Sequence, residues 1–281
     1  MTTLTTTQAA ESLRVTPAKR SAVHRTFNLT RELAVTQFKL KYTGSILGYL
    51  WSLLKPLMIF AIMYVVFVHL LHINSGAHGA LQLLVAIVIW TFFAEAVGTS
   101  VNVIVANTSL IKKAYFPRTI LVIAASLTAL MTFLINITLV IAIAAPLHQI
   151  DLSLRSLVVV PLFLELYVII LGAALLLSSL FVFYRDLGHI WEVSSQLLFY
   201  ASAVVYPLTP VFLQGKEKIL GLNPLAQIIE DVRHALVTAT VPWTGEMLGP
   251  MIAVPFGIIA ALVVAGYVTF TRLAPRFAEQ L

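Results

Sequence analysis

The 281-residue chain contains no cysteine and very little charge. Without cysteine there is no disulfide, no thiolate nucleophile and no cysteine-ligated metal or iron–sulfur centre. That absence is compatible with any compartment. Charged residues make up 11% of the chain, against roughly 25% in a soluble globular domain. A water-dispersed chain of this size needs more, so soluble enzymes, disordered proteins and fibrous proteins are excluded. A Gly-x-x-x-x-Gly-Lys-Ser/Thr phosphate loop and a His-Glu-x-x-His metal motif are also missing, so neither an ATP site of that kind nor a metalloprotease site is expected. No repeat of 20–50 residues is visible. The first 26 residues are rich in Thr, Ala and Arg and carry no apolar signal-peptide core.

What is present is apolar. By type 59% of residues are hydrophobic, and the mean hydropathy is +0.94. A membrane-crossing helix takes roughly 20 mostly apolar residues, and runs of that kind lie at 46–71, 81–106, 118–145, 157–183, 190–208 and 250–271. The expectation is an all-α polytopic membrane protein with six transmembrane helices. No break between them is long enough for a nucleotide-binding domain. Residues 1–27 read as a disordered cytoplasmic tail, 28–281 as one transmembrane domain, and 272–281 as a short cytoplasmic tail.

An even number of spans leaves both termini on one side, and basic loop residues say which. On the terminal side lie Arg14, Lys19, Arg20, Arg25, Arg31, Lys39, Lys41, Lys112, Lys113, Arg118, Arg185, Arg272 and Arg276. Only Arg155, Lys216, Lys218 and Arg233 fall on the other side, and Lys55 sits within the first run. Thirteen against four puts both termini in the cytoplasm. The net charge of +6 therefore reports orientation. These residues flank apolar runs rather than alternate with exposed aromatics, so nucleic acid is not an expected partner.

Two segments have helical periodicity without the length or apolarity to span. In 28–41, Asn28 is placed to cap a helix, with Leu29, Leu33 and Leu40 along one face and Arg31, Glu32, Lys39 and Lys41 over the remainder. Such a helix lies in the headgroup layer, although a plain juxtamembrane linker has the same composition. In 223–236, Asn223 and Pro224 form a helix start. Leu225, Ile228, Ile229, Val232 and Leu236 follow on one face, with Gln227, Glu230, Asp231 and Arg233 on the other. The preceding stretch is broken by Pro210, Gly215 and Gly221, so 207–245 reads as an external re-entrant or interfacial hairpin. Irregular backbone at that depth needs protein or a water-lined cavity around it.

Few residues could carry chemistry. Glu95 and Glu165 lie inside predicted spans, where an acidic side chain is costly unless it faces a bundle interior or cavity. A proton-coupled carrier or an enzyme acting on lipid-linked sugar would use such carboxylates. Structural hydrogen bonding to a neighbouring helix accounts for them equally, and no intramembrane Asp or basic partner is evident. His69, His72 and His78 cluster at the outer end of the first run, where interfacial histidines are commoner than a metal site. Gly98-Thr99-Ser100 lacks the following Gly and the later His of a serine-protease site, and no channel filter sequence appears. The loop from Asn107 to Arg118 carries Lys112, Lys113, Tyr115, Phe116 and Pro117, a mixture suited to a protein contact. In Phe183-Tyr184-Arg185-Asp186-Leu187, Arg185 and Asp186 could pair or cap the next helix.

Four passages stand out in order: Tyr42-Thr43-Gly44-Ser45-Ile46-Leu47-Gly48-Tyr49-Leu50-Trp51 with Pro56; Leu110-Ile111-Lys112-Lys113 through Phe116-Pro117-Arg118; Tyr184-Arg185-Asp186-Leu187 running to Val205-Tyr206-Pro207; and Asn223-Pro224 with Arg233. Together they resemble the permease subunit of ABC-2-type exporters, in the polysaccharide-export branch of Wzm O-antigen, teichoic-acid and mycobacterial-type galactan exporters. Their order covers about residues 28–271. The resemblance implies a transport subunit rather than an enzyme, forming a homodimer joined to two copies of a separate ABC ATPase in the bacterial inner membrane. ATP and Mg would bind that partner, and this chain would hold no cofactor. Residues 28–43 would be a gate helix, where Arg31, Lys39, Lys41 and Tyr42 meet the pyrophosphate of a lipid-linked glycan. Leu110, Ile111, Lys112, Lys113, Tyr115, Phe116, Pro117 and Arg118 would couple to the ATPase, with Tyr184, Arg185 and Asp186 as a second contact. A channel at the dimer interface, lined from the first, second and fifth spans, would draw on Tyr49, Trp51, Tyr64, Trp90, Phe93, Glu95, Phe199, Tyr200 and Tyr206. Export of a drug or another lipid is the alternative within transport.

Overall fold

A computed structural model describes residues 22–45, 47–70, 78–113, 116–150, 153–209, 213, 215–238 and 240–281. Residues 1–21 of the predicted tail 1–27 lie outside the described residues, as do Ile46, His72 and Tyr115. The elements that position the sites are helices α1 (Ala22–Tyr42), α2 (Leu50–Tyr64), α3 (Gly79–Val101), α4 (Thr108–Lys113), α5 (Thr119–Ala144), α6 (Val159–Phe181), α7 (Leu187–Ala201), α8 (Pro224–Leu236) and α9 (Ala253–Leu273). No strand occurs among the described residues.

Five stretches are long and apolar enough to cross a membrane: Leu50–Phe67, Gly79–Val101, Thr119–Ala144, Leu154–Phe181 and Thr244–Gln280. The remaining predicted run, 190–208, is shorter as a helix than expected. α7 has 15 residues and stops at Ala201. Ala203 then takes a positive φ of 53°, and a non-helical stretch follows to Thr209. α7 nonetheless runs antiparallel to α3. Trp191 lies against Gly98, Phe199 packs edge-on to Trp90 at 5.6 Å, and Arg233 joins the carbonyls of Ala203 and Val204 to that of Gln82.

α3 is the centre of the bundle. It has apolar residues on every face and is buried on nearly every face, as expected of a helix without an amphipathic pattern. α2, α5, α6, α7 and α8 pack around it. α6 and α9 form the closest pair, because Gly172 and Gly266 meet across their crossing. A Cβ added to Gly266 would lie 2.3 Å from the Gly172 carbonyl oxygen. Small residues at such a crossing let helix backbones touch where no hydrophobic effect drives association.

α1 starts at Ala22, earlier than the predicted 28. Asn28 is therefore inside the helix rather than its cap, since nothing in Ala22–Phe27 breaks a helix. The buried side of α1 is also not the predicted leucine stripe. Thr30, Ala34 and Tyr42 face α5, whereas Leu29 and Leu40 are exposed. Ala34 comes close enough for Thr128 Oγ1 to donate to its carbonyl at 3.2 Å, which a larger residue would prevent.

Candidate functional site

Three places gather the polar residues of this apolar molecule. The first is the end bearing the basic loops. Ile104, Ile111, Leu121, Val182, Phe270 and Phe277 form a buried cluster there, with Leu33, Leu110, Phe116 and Phe183 packed at its edge. Four chain segments far apart in sequence thus meet at one end. A groove of about 560 Å³ opens beside it, lined by Ile111, Phe116, Pro117, Arg118, Thr119, Phe270, Thr271, Ala274 and Pro275. The Arg118 guanidinium sits 5.9 Å over the Phe277 ring, within cation–π range. Leu110 is half-buried, while Lys112, Lys113 and Pro117 are exposed. Tyr184, Arg185 and Asp186 are exposed at the same end. Asp186 occupies the cap position of α7 without a side-chain capping bond, and Arg185 covers the Phe181 ring at 5.4 Å. Among the described residues Arg185 and Asp186 form neither the predicted pair nor a side-chain cap, and Arg185 makes that ring contact instead.

The second place is a cavity of about 640 Å³ between the end of α1, the turn after it, α2 and α3. Glu95 has the basic partner that its span did not offer: Lys41 Nζ, from the last turn of α1, is ion-paired with Glu95 Oε1. Lys41 also reaches Thr132 Oγ1 at 3.4 Å, and the Tyr42 hydroxyl shares that oxygen at 3.3 Å. Phe38 and Tyr49 stack at 5.4 Å beside Tyr42. Arg31 and Lys39 are exposed on α1 and do not line this cavity.

The third place is the far end, around α8. Asn223 caps the helix as predicted, accepting from Leu225 N at 3.0 Å, with Pro224 in the first turn. The predicted polar face is not solvated, however. All 13 residues of α8 are buried. Arg233 donates to Glu230 Oε2 at 3.0 Å and to the backbone carbonyls of Gln82, Ala203, Val204 and Tyr206 at 2.7–3.3 Å. Glu230 Oε1 accepts from Leu208 N at 2.9 Å. Asp231 accepts from Thr244 N and Oγ1 and from Gln227 Nε2. Burial pushes the Asp231 carboxyl up, against the opposing pull of those hydrogen bonds. Glu165, from α6, rests beside Gln227 and close to Asp231. A buried hairpin with unsatisfied polar groups would be unstable. Here the polar face of α8 supplies the partners for the irregular 203–208 backbone.

The residues expected to line a channel divide by burial. Trp90, Phe93 and Phe199 are packed in the core, with Trp191 against Phe93 at 5.9 Å. Tyr49, Trp51 and Tyr200 are exposed, and Tyr64 and Tyr206 are intermediate. His69 packs edge-on to Tyr64 at 5.5 Å, and no group of three or more His, Asp or Glu able to hold a metal occurs among the described residues. Trp191 and Thr132 were not singled out by sequence reasoning, since a lone Trp or Thr in an apolar run carries no periodic signal.

The family model of the ABC-2 type transporter matches residues 28–237. The chain belongs to the ABC-2 type transporter family. It is similar to the O-antigen export system permease protein RfbA of Klebsiella pneumoniae, with 27% identity over 256 residues, covering 91% of this chain and 95% of the relative. The permease of the same name from Myxococcus xanthus is 26% identical over 198 residues, covering 70% of this chain and 75% of that protein. As an ABC-2 family member the chain is a transport subunit rather than an enzyme, and with its apolar helices it is a multi-pass membrane protein. The stretch matched to the ABC-2 family begins inside α1 and ends one residue beyond α8. It includes the lining of the cavity around Lys41 and Glu95 and the Arg233 contacts of α8, and of the groove at the basic end it includes Ile111 and Phe116 to Thr119 but not Phe270 to Pro275.

Proposed function

We propose that this chain is the membrane subunit of an ATP-driven exporter that moves a lipid-linked polysaccharide out of the cytoplasm. The likeness to O-antigen export permeases over 91% of the chain carries the reading. Two copies form the pathway between them, and two copies of a separate ABC ATPase dock at the basic end, which faces the cytoplasm of a bacterial inner membrane. The count of basic residues supports that orientation. α7 with residues 202–208 completes a sixth crossing, a reading supported by its antiparallel course along α3. Exposed apolar stripes on α2 and just beyond it (Met58, Ile62, then Val65) and on α7 (Ile190, Val193, Leu197, Tyr200) supply surface for a second copy to cover. Of the aromatic residues considered for a channel, Tyr49, Trp51 and Tyr200 have the exposure such a role needs.

In this scheme α1 is the gate helix, held to α3 by Lys41 and Glu95. The 107–118 loop is the coupling element, and Tyr184, Arg185 and Asp186 make a second ATPase contact. ATP binding and Mg²⁺ chemistry belong to that partner. Closure of the ATPase pair would push the coupling loop against the cluster of Ile111, Phe270 and Phe277, which is continuous with α5, α6 and α9. The test is co-purification. The substitutions Phe116→Ala and Arg118→Glu together are expected to lose the ATPase while the chain stays membrane-inserted and dimeric. Retention of the ATPase by that double variant would refute the coupling assignment. Deleting the chain is expected to abolish the surface polysaccharide, and an unchanged surface glycan with loss of drug efflux would favour the alternative cargo.

A further inference from the structure

The polar face of α8 adjoins two acceptors that no donor serves. Gln227 is 2% exposed, and its Nε2 donates to Asp231 Oδ2 at 3.2 Å. An ionised carboxylate only accepts, so that bond fixes which way the amide points. Gln227 Oε1 is then buried and without a donor among the described residues. Glu165 of α6 is within hydrogen-bonding reach of the Gln227 side chain, and Glu165 Oε1 is likewise buried and unpartnered. Each such atom costs its full desolvation.

One proton removes both deficits, and the donors present say where it sits. Asp231 accepts from Thr244 N at 2.8 Å, from Thr244 Oγ1 at 2.7 Å and from Gln227, and such donors favour the charged form of a carboxyl. No donor reaches Glu165 Oε1. Glu165 also lies in a stretch that crosses the membrane, where a bare carboxylate is costly, and beside the Asp231 carboxyl. We infer that Glu165 carries a proton and donates it to Gln227 Oε1. This closes a relay from Glu165 through the Gln227 amide to Asp231 and on to Thr244. The relay ties α6 to α8, and α8 to the start of the last crossing stretch, Thr244–Gln280. It is a latch that a single proton keeps shut. Once that proton leaves, two carboxylates flank one amide and repel each other.

The surrounding charges do not replace the proton. Glu230 and Arg233 neutralise each other on α8. His234, one turn from Asp231, has its Nδ1 on the Val241 carbonyl and its ring 4.1 Å from that of Trp243. Arg155, in the turn before α6, is itself engaged, and Glu246 is exposed. α3 brings only Glu95, held by Lys41, and α5 has no ionisable residue. On α7, His189 and Glu192 face each other at 3.6 Å, and on α9 only Tyr267 and Arg272 titrate, towards its C-terminal end. The inference holds for any cargo and for either orientation of the chain.

The test uses the permease–ATPase complex in phosphatidylcholine nanodiscs, with the same pH on both faces. At neutral pH the infrared difference between wild type and Glu165→Gln should contain the carbonyl stretch of one protonated carboxyl. The chain has no cysteine, so Val241→Cys, at a buried position of the hairpin, reports opening by its rate of maleimide labelling on the permease chain. Lys218→Cys, at an exposed position, serves as the reference that divides out titration of the thiol. Opening releases a proton that the closed form holds, so the open fraction grows with pH. The ratio of the two rates should therefore climb as pH rises, by up to about ten-fold per pH unit for one proton. With Glu165→Gln it should stay low and flat, because the amide keeps a donor for Gln227 Oε1 and carries no charge. A missing carboxyl band overturns the inference, and so does a flat ratio in wild type. A pH dependence that survives Glu165→Gln passes the titration to His234 or Asp231 and also overturns it. Should Glu165→Gln fail to assemble, wild type with only the permease isotope-labelled decides. Its carboxyl band must fade over the pH range in which the ratio climbs, and a band that persists there overturns the latch.

Discussion

Arg233 connects more of the molecule than any other side chain at the far end. It ties α8 to the start of α3 and to the irregular backbone after α7, and only one of its five bonds is to a charge. Replacing it with Met would leave Glu230 buried without its cation and several carbonyls without a donor. The expected cost is about 3–5 kcal/mol, the range for breaking a buried pair. Glu230→Gln removes the charge but keeps an acceptor for Leu208 N, so its cost should be nearer ~1–2 kcal/mol. The order of the thermal unfolding midpoints of the two variants in detergent is the measurement. Equal destabilisation would mean that the ion pair, not the set of carbonyls, is what matters. Glu95 is a second case of a residue whose surroundings its own span does not reveal. Its partner Lys41 is 54 positions away, at the end of a helix with an unrelated hydrophobic pattern.

Among the elements, the α6–α9 pair packs most extensively and comes closest where Gly172 meets Gly266. α9 is otherwise thinly buried, through Pro255, Ile259, Gly266 and Phe270 on one stripe. A methyl group at Gly266 would meet backbone, which has no rotamer to change. Gly266→Ala is therefore expected to push the helices apart and cost at least ~1–3 kcal/mol, as overpacking does. Gly257, with nothing within 4 Å of an added Cβ, should accept Ala without penalty. Monodispersity on size-exclusion chromatography of the two variants separates them, and a well-behaved Gly266→Ala would contradict the close approach. α8 makes the complementary point. Its start was legible because Asn223 and Pro224 act locally, but the fate of its polar face was not. The same alternation serves a solvated helix or one that hydrogen-bonds irregular backbone.

For the whole molecule, the number of crossings turns on one element. α7 is the deciding element, because its 15 residues rise only about 22 Å, so a sixth crossing would have to finish as non-helical backbone. The absence of cysteine makes the count directly measurable. Single cysteines at Lys113 and Glu279 should resist a membrane-impermeant maleimide in intact cells and react after lysis. Cysteines at Lys218 and Thr240 should react from outside. Labelling of the Glu279 position in intact cells would mean an odd number of crossings.

The low charge, the long apolar runs and the Asn223-Pro224 cap act locally or through composition, so the sequence by itself determined the membrane class, the helices and most of their bounds. The ordered motifs pointed to the family that the comparison then established. Tertiary structure alone decided which charges meet. It brought Lys41 to Glu95 and Arg233 to the carbonyls after α7, and it set Lys55 on the wall of the cavity that holds the Lys41–Glu95 pair. It also replaced the expected leucine face of α1 with Thr30 and Ala34. The physical reason is common to all four. In a chain this apolar, periodicity says which residues prefer lipid or protein to water, but not which of those two each face meets. The few polar groups find their partners only when helices distant in sequence are packed side by side.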